Sequence, residues 1–439
     1  MNQPSTDPKS LNVERTAALW ARLEGVLASG RWTPTQGMLC HDSGVYPVLA
    51  QRGLGGRMWD TSGAEYVDWM MGWGPVVLGH RHPAVENAIR LQLSEGTLMS
   101  LTHPLEIEVA ETVRAMVPCA EGVAFGKNGS DVLALAVRIA RAHTGRELVL
   151  YHGYHGFHDW CMAGIPQCKG MPESLRDTVQ EFPFNDVEAL AQALERNAGK
   201  VAAIVLEPAR EREPAAGYLA RIRELADAHG AVLIFDEILT GFRLAKGGAQ
   251  ELYGVVPDLA AVGKALANGM PLSALCGRAR FLYSIVNVGY GLTYRGELLS
   301  LAAAKASLEV IRSEPVVERL RATGESLRRG FAASAARHGV DARLSGPSPR
   351  LQIDMGSYGR MSALAQASLL IQECLKRGVL TNGAFNPCYA HDERDIAQTV
   401  DAFEAAFATL AQARDAGTLQ GFLTTPGVAI KYGDDDALR

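Results

Sequence analysis

The chain has 439 residues, of which 47% are hydrophobic and 21% charged, values typical of a globular protein too long for one compact core. Its formal net charge of −5 argues against nucleic-acid binding, and it has no run of about 18 uninterrupted apolar residues to predict a membrane span. The seven cysteines include no CxxC pair, and the polar N-terminus lacks the apolar core of a signal peptide. We therefore expect a soluble, cytoplasmic protein of two or three packed units.

The N-terminal third predicts a mixture of helices and short strands. A helix is expected over residues 12–27, and a strand-turn-strand over 57–69 with its turn at Thr61-Ser62-Gly63. Residues 128–145 predict a longer helix, because apolar residues repeat along one face and Gly145 provides a stop.

Three apolar runs in the middle of the chain predict strands covered on both faces. They are Leu148–Tyr151, Val201–Leu206 and Ala231–Phe235, with a helical pattern over 219–229 between the last two. A strand, a helix and a second strand in this order are typical of a parallel sheet. The centre of the chain is therefore expected to form an α/β domain.

The C-terminal third predicts a smaller α/β unit. Residues 394–413 carry apolar positions at steps of three and four, which mark the buried face of a helix. Short strands are expected within 343–355 and 379–387. The domains predicted for the whole chain are an N-terminal segment (1–60) packing with the small domain, a large α/β domain (61–310) and a small α/β domain (311–439).

Two predicted strands end in carboxylates, and a lysine follows within reach. Asp236 ends the run AVLIF, Glu207 ends VAAIVL, and Lys264 lies in the apolar stretch AVGKALANGMPL. Ligands of parallel α/β sheets bind beyond the carboxyl ends of the strands. A lysine in a dry pocket has a lowered pKa and can form a Schiff base with a carbonyl group.

These residues are consistent with a pyridoxal-phosphate site. A carboxylate such as Asp236 keeps a pyridine nitrogen protonated, and the N–H groups of Gly129 and Ser130 at a helix start can bind a phosphate. Tyr154 follows a predicted strand and can stack on a ring. The alternatives are a surface lysine whose stem covers apolar residues, and a serine that only caps its helix.

The spacing of His152, His155, His158 and Cys161 also invites a zinc interpretation. Glycines interleave these histidines as a loop requires, and no second cysteine pair at zinc-like spacing accompanies them. We therefore expect no metal site here.

Several segments, in order along residues 12–412, resemble class III aminotransferases of fold type I. AVLIFDEILTGFR and PDLAAVGKALANGMPLSALCGR resemble the family's cofactor-lysine region, NGSDVLALAVRIARAHTGR its phosphate helix, and GYHGFHD its stacking segment. MMGWGPVVLGHRHPAVENAI and THPLEIEVAETV resemble most the glutamate-1-semialdehyde 2,1-aminomutase branch. The segment LTYRGE matches the family's TxxGxP-like segment, with Glu297-Leu298 where Asn-Pro is common.

The resemblance implies a fold type I α/β protein, with a mostly parallel central sheet and a smaller C-terminal domain, that binds pyridoxal 5′-phosphate as a homodimer. Lys264 is expected to form the Schiff base and to move the substrate's α-proton, and Asp236 to pair with the pyridine nitrogen. The other expected cofactor contacts are Gly129, Ser130, Tyr154, His155, Glu207 and Thr293, the last from the partner subunit. Trp73 and Glu207 are expected on the substrate side.

The substrate side departs from the aminomutase pattern. The branch places a carboxylate-binding arginine after its first helix, whereas this chain has no Arg or Lys from Trp32 to Gln51, and Met38 falls near the arginine's position. The segment PAREREPAAGY after Glu207 also differs. These differences favour an aminotransferase acting on a non-standard aldehyde or ketone, such as an oxidised sugar or aminocyclitol. The alternatives are the aminomutase itself, an epimerase or decarboxylase, and a non-catalytic binding protein.

Overall fold

A computed structural model describes residues 22, 26, 49–165 and 168–423 of the chain. The chain divides into two compact units. The large unit comprises residues 72–78 and 82–319, and the small unit comprises 1–71, 79–81 and 320–439. Of the helix expected over residues 12–27, only residues 22 and 26 are described. Met38 lies outside the described residues.

The strands of the described residues are numbered in chain order. They are β1 (Ala50–Leu54), β2 (Arg57–Asp60), β3 (Glu65–Asp68), β4 (Gly122–Gly126), β5 (Leu148–His152), β6 (Val179–Glu181), β7 (Val201–Leu206), β8 (Val232–Glu237), β9 (Leu259–Val262), β10 (Ser273–Gly277), β11 (Ala342–Ser345), β12 (Leu351–Met355), β13 (Val379–Leu380) and β14 (Ala384–Phe385).

The α-helices of the described residues are numbered in the same way. They are α1 (Pro83–Glu95), α2 (Pro104–Met116), α3 (Gly129–Thr144), α4 (Asp159–Met162), α5 (Glu173–Arg176), α6 (Val187–Arg196), α7 (Tyr218–His229), α8 (Ala249–Tyr253), α9 (Ala279–Leu282), α10 (Leu298–Ser313), α11 (Val316–Arg337), α12 (Ala363–Leu375) and α13 (Glu393–Asp415). None of these described helices is long and apolar enough to cross a membrane.

The large unit is built on a seven-stranded sheet in the order β4-β10-β9-β8-β7-β5-β6. Strands β5 to β9 are parallel to one another, and β10 runs antiparallel to both of its neighbours. Every residue of β7 and β8 is buried, which explains why their sequences are apolar nearly throughout. The predicted mostly parallel α/β sheet is confirmed.

Helix α3 covers one face of this sheet. Its buried residues form one core with alternate residues of the strands, among them Tyr151, Val205 and Ile234. Gly145 ends the helix in the left-handed conformation (φ 67°), as the sequence predicts. Side chains alternate between sheet faces, so residues two positions further along each strand point to the α3 face as well.

The small unit contains two further sheets, in the orders β1-β2-β3-β13 and β11-β12-β14. The expected turn at residues 61–63 joins β2 to β3 as an antiparallel pair. Phe331 packs edge-on against Phe403 and Phe407, and this aromatic group lies in the core formed by α11, α12 and α13. The predicted C-terminal helix and short strands are confirmed.

Candidate active site

The strands of the large sheet bring the predicted site residues to one edge. Asp236 lies near the end of β8 and pairs with Ala261 of β9. Ala261 is three residues before Lys264, so Lys264 follows at the same edge of the sheet. Leu206 of β7 pairs with Phe235 of β8 on one side and with His152 of β5 on the other. The residues that follow them, Glu207, Asp236 and Gly153, therefore lie side by side at one level across the three strands. These three positions share the α3 face of the sheet by alternation.

Lys264 begins a 3-10 turn directly after β9 and adopts an unusual backbone conformation. Its φ is +42°, in the left-handed region that a long side chain rarely occupies. The turn ends at Asn268, whose side-chain oxygen accepts a hydrogen bond of 2.8 Å from the backbone N–H of Leu78. Strained backbone of this kind concentrates at functional positions, where surrounding contacts hold it in place.

Asp236 is buried and bonds to a buried histidine. His155 Nδ1 lies 2.8 Å from Asp236 Oδ2, and its Nε2 lies 2.9 Å from the carbonyl oxygen of His152. The His155 ring therefore lies between two oxygen atoms, one of a carboxylate and one of a backbone carbonyl group. The His155 ring also stacks on Trp160 at an interplanar angle of 10°. The histidine thus anchors the carboxylate from the protein side.

The start of α3 lies beside the Lys264 turn. A Cβ on Gly129 would meet the side chain of Ile238 at 2.9 Å, and a Cβ on Gly263 would meet the same side chain at 3.1 Å. Ile238 therefore touches both backbones. Asp131 accepts bonds from the N–H groups of Lys127 and Asn128. Within the described part of the chain, the N–H groups of Gly129 and Ser130 have no protein acceptor.

The loop after β5 carries Tyr154 close to this helix start. A Cβ on Gly156 would lie 2.6 Å from Ser130 Cβ, so only glycine permits the close approach of the two segments. Tyr154 is 52% exposed, which leaves a face of its ring open. The neighbouring histidines face separate partners: His152, the last residue of β5, bonds to the Phe182 carbonyl oxygen, and His158 approaches Asp131.

Trp73 lies in a second strained segment of the large unit. Trp73 has a φ of +72°, and its two neighbours, Gly72 and Gly74, also have positive φ angles. The fully buried Arg243 donates a hydrogen bond of 2.6 Å to the Gly74 carbonyl oxygen and so fixes this segment. Val76 also lies within 3.4 Å of the place where a Cβ on Gly269 would stand. The segment therefore packs on the turn that starts at Lys264.

Sequence reasoning did not assign a role to Lys127, which the structure pairs with Glu297 at 2.9 Å. Glu297 also accepts bonds from the backbone N–H groups of Leu299 and Ser300 and so caps α10. Burial raises the pKa of Glu297, but the bonds from Ser300 and Lys127 outweigh burial and hold it below its usual value. Thr293, four residues earlier, is exposed and bonds to none of the residues above.

These residues fit pyridoxal phosphate on physical grounds. The start of a 16-residue helix with two unused N–H groups suits a phosphate, because the helix dipole adds to the hydrogen bonds. Asp236 Oδ1 accepts from the Ile238 N–H, and the carboxylate keeps lone pairs for a further donor. A lysine begins the turn beside both groups.

The family model described as aminotransferase class-III matches residues 39–407. The chain belongs to the class III aminotransferases. It is therefore a fold type I enzyme that uses pyridoxal phosphate, as the sequence motifs implied. A curated relative, the 3-aminobutyryl-CoA aminotransferase of Cloacimonas acidaminovorans, is 32% identical over 377 residues, which cover 83% of this chain and 90% of the relative.

Solved structures of other proteins have closely similar folds to this chain. The FumI protein of Sphingopyxis sp. MTA144, in its PLP internal aldimine form, is 30% identical with a TM-score of 0.85, covering 92% of this chain and 98% of that one. A glutamate-1-semialdehyde-aminomutase from Pseudomonas aeruginosa PAO1 is 24% identical with a TM-score of 0.80, covering 92% and 96%. The latter similarity concerns the fold.

Proposed function

We propose that this class III aminotransferase moves an amino group from an amino acid donor to an aldehyde or ketone acceptor through a covalent link between Lys264 and the cofactor. One observation carries the proposal: Lys264, the Asp236–His155 pair and the start of α3 meet at one edge of the sheet. Bound pyridoxal phosphate supplies an electron sink for the charge that develops on the substrate carbon.

Lys264 is the residue that moves the proton. Its amine would hold the cofactor and, without its proton, would serve as a general base. Lys264 Nζ then takes the proton from the amine-bearing carbon of the donor. Its place on a tight turn after β9 limits the directions its side chain can take.

Asp236 and His155 hold a proton at the pyridine nitrogen. A carboxylate held by two donors, His155 Nδ1 and the Ile238 N–H, is oriented before the cofactor binds. The negative charge on Asp236 favours the protonated ring. Glu207 stands at the same level on the neighbouring strand and is proposed to support the site from its substrate side, together with Trp73.

The N–H groups of Gly129 and Ser130 are proposed to bind the phosphate, and Tyr154 to stack on the ring. Thr293 is proposed to contact the phosphate from a second subunit, since it is exposed in a segment that Glu297 anchors at α10. The large unit also exposes a group of apolar side chains suited to burial in a homodimer. They are Leu91, Leu93, Leu98, Met99, Leu101 and Ile107.

The half-reaction tests this function. The holoenzyme is mixed with L-glutamate, L-alanine or 4-aminobutyrate, and absorbance follows conversion of the cofactor to its aminated form. We expect conversion with at least one donor and release of the corresponding oxo acid. Isomerisation of glutamate-1-semialdehyde without release of an oxo acid would favour the aminomutase. Racemisation of the donor or release of carbon dioxide would favour an epimerase or decarboxylase.

Absence of any bound cofactor would favour a non-catalytic protein.

We also propose a cytoplasmic location, which the cysteines support: the six in the described residues, all but Cys40, are free, and five of them are buried. Free thiols are typical of a reducing compartment.

A further inference from the structure

Arg210 places a cation beside the row of residues at the active-site edge of the sheet. It lies three residues after Glu207, and its Nε is 3.5 Å from Glu207 Oε1. A Cβ on Gly153 would collide with Arg210 Nη1, so the guanidinium group fills the space above Gly153. Gly153 and Glu207 stand at one level with Asp236 on adjacent strands, so the guanidinium group lies on the side of the sheet that carries Asp236.

Strand spacing sets how far this cation is from the reacting groups. Neighbouring strands lie about 5 Å apart, and β7 is separated from β9 by one strand. The row that carries Glu207 is therefore roughly 10 Å from the row that leads to Lys264. The guanidinium group lies beside Glu207 and over Gly153, so it is roughly 10–15 Å from the row that leads to Lys264, and the Lys264 side chain and the substrate share that distance.

The contacts of Arg210 leave much of its hydrogen-bonding capacity unused. Glu207 at 3.5 Å and the exposed Glu211 at 3.3 Å are both farther than the 2.7–2.9 Å typical of tight charge-assisted bonds. Arg210 Nε is buried without a hydrogen-bond partner in the described part of the chain. Only 19% of the side chain is exposed, so water satisfies it poorly. An enclosed guanidinium group with free donors suits a carboxylate.

The neighbouring histidine does not compete with this cation. Burial, followed by the positive charge of Arg210, lowers the pKa of His152, so its ring stays neutral at physiological pH. Its Nδ1 is engaged by the Phe182 carbonyl oxygen. Arg210 therefore supplies a positive charge beside Glu207 and Gly153.

We propose that Arg210 binds the carboxylate of the amino or oxo acid substrate, with Glu207 holding the guanidinium group in position. The proposal rests on the aminotransferase function and names one class of substrate for it. Arg210 belongs to the segment PAREREPAAGY, so the carboxylate contact expected to be missing near Met38 is supplied by a different part of the chain. Arg210 is a specificity residue and moves no proton.

Paired substrates test this role. Each donor amino acid is compared with its primary amide, which has nearly the same shape but no charge, in wild type and in Arg210→Gln. Loss of a charge-assisted hydrogen bond costs a factor of roughly 10 to 100 in affinity. We expect KM for the amino acids to rise by about that factor, with kcat changed little and KM for the amides unchanged. Arg210→Lys is expected to retain part of the preference.

A binding measurement separates recognition from turnover. Glutarate, which has carboxylates but no amine, is titrated into each holoenzyme by calorimetry. Its Kd is expected to rise in Arg210→Gln by the same factor as KM. Arg212→Gln is the matched control, because Arg212 is exposed two residues away and its side chain contacts none of these groups.

The outcomes are distinguishable. Equal KM and Kd values for wild type and Arg210→Gln, with the cofactor bound and donors converted, would overturn the role of Arg210 and leave the aminotransferase function intact. If no donor is converted by wild type, the proposed function fails, while the glutarate titration still reports on Arg210. Glu207→Gln is expected to raise KM less than Arg210→Gln, and an effect only on kcat would contradict its positioning role.

Discussion

The two sides of the active-site edge are built differently. On the proposed cofactor side, backbone groups and buried side chains fix the geometry: the start of α3, the Lys264 turn and the Asp236–His155 pair. On the proposed substrate side, Glu207 and Arg210 are charged and partly enclosed, and their contact is longer, at 3.5 Å.

The difference matches what each side is proposed to bind, the cofactor on one side and the substrate on the other. A cofactor of constant shape is matched by rigid packing, in which a glycine such as Gly129 leaves no room for a Cβ. A substrate is recognised by a few side chains whose replacement changes affinity without disturbing the sheet. Variants of the cofactor side should therefore abolish reaction with every donor, whereas variants of the substrate side should discriminate between donors.

Replacement of the lysine should have the largest effect. Lys264→Ala removes the proposed nucleophile and proton carrier, and we expect the half-reaction to slow by roughly 10⁴-fold for charged and neutral donors alike. Stopped-flow absorbance measures the rate. Lys200→Ala is the control, since Lys200 is exposed and its side chain makes none of the contacts described above. A Lys264→Ala enzyme that turned over at the wild-type rate would contradict the assignment.

Removal of the charge on Asp236 should have the next largest effect. Asp236→Asn preserves the shape of the side chain but weakens stabilisation of the protonated ring, so we expect kcat to fall roughly 100- to 1,000-fold for all donors. The cofactor's absorbance spectrum should also change its pH dependence, which loss of packing alone would not produce. An unchanged spectrum and rate would argue against a contact with the pyridine nitrogen.

Crowding at the start of α3 should weaken cofactor binding. In Gly129→Ala the new Cβ meets Ile238 at 2.9 Å, and overpacking of this kind costs about 1–3 kcal/mol. We expect Kd for pyridoxal phosphate to rise by roughly 10- to 100-fold. Adding Ile238→Ala should restore part of the affinity, with Ile238→Ala alone as the control. Failure of the double variant to recover would mean that the close approach is unimportant.

The smallest effect is expected away from both sides, in the small unit. Burial lowers the pKa of His391 from 6.5 to about 4, although Asp395 and Asp68 act in the opposite direction. The unfolded chain therefore binds more protons at this residue, and stability falls as the pH decreases from 6.5 toward 4. His391 Nδ1 accepts from the Cys388 N–H and loses that bond on protonation.

Thermal melting of wild type and His391→Gln at pH 5 and pH 7 tests this expectation. The loss of melting temperature at the lower pH should be smaller in the variant, because glutamine does not titrate. An identical pH dependence in both proteins would show that His391 does not contribute to acid sensitivity.

The sequence predicted the strand ends and the helix start of this edge well because their signals are local. Apolar runs ending in Asp236 and Glu207 placed both carboxylates at strand ends, and the capping pattern around residue 128 placed the start of α3. The strand register, which brings Gly153 level with Asp236, depends on pairing between distant segments and is not visible in the sequence.

The substrate side was harder to predict for the same reason. Arg210 stands in a segment recognised as unusual, but only the fold shows that its guanidinium group lies over Gly153. The ion pair between Lys127 and Glu297 joins residues 170 positions apart, and neither residue alone suggests the other. The positive φ angles of Trp73 and Lys264 are likewise not predicted by either residue type.

Chemical trapping shows directly whether Lys264 carries the cofactor. The holoenzyme is reduced with borohydride, digested and mapped by mass spectrometry, with Lys264→Ala treated in parallel. We expect one pyridoxyl group per chain on the peptide that contains Lys264, and none in the variant. A label on another lysine, or an unlabelled wild-type protein that had been saturated with pyridoxal phosphate, would contradict it.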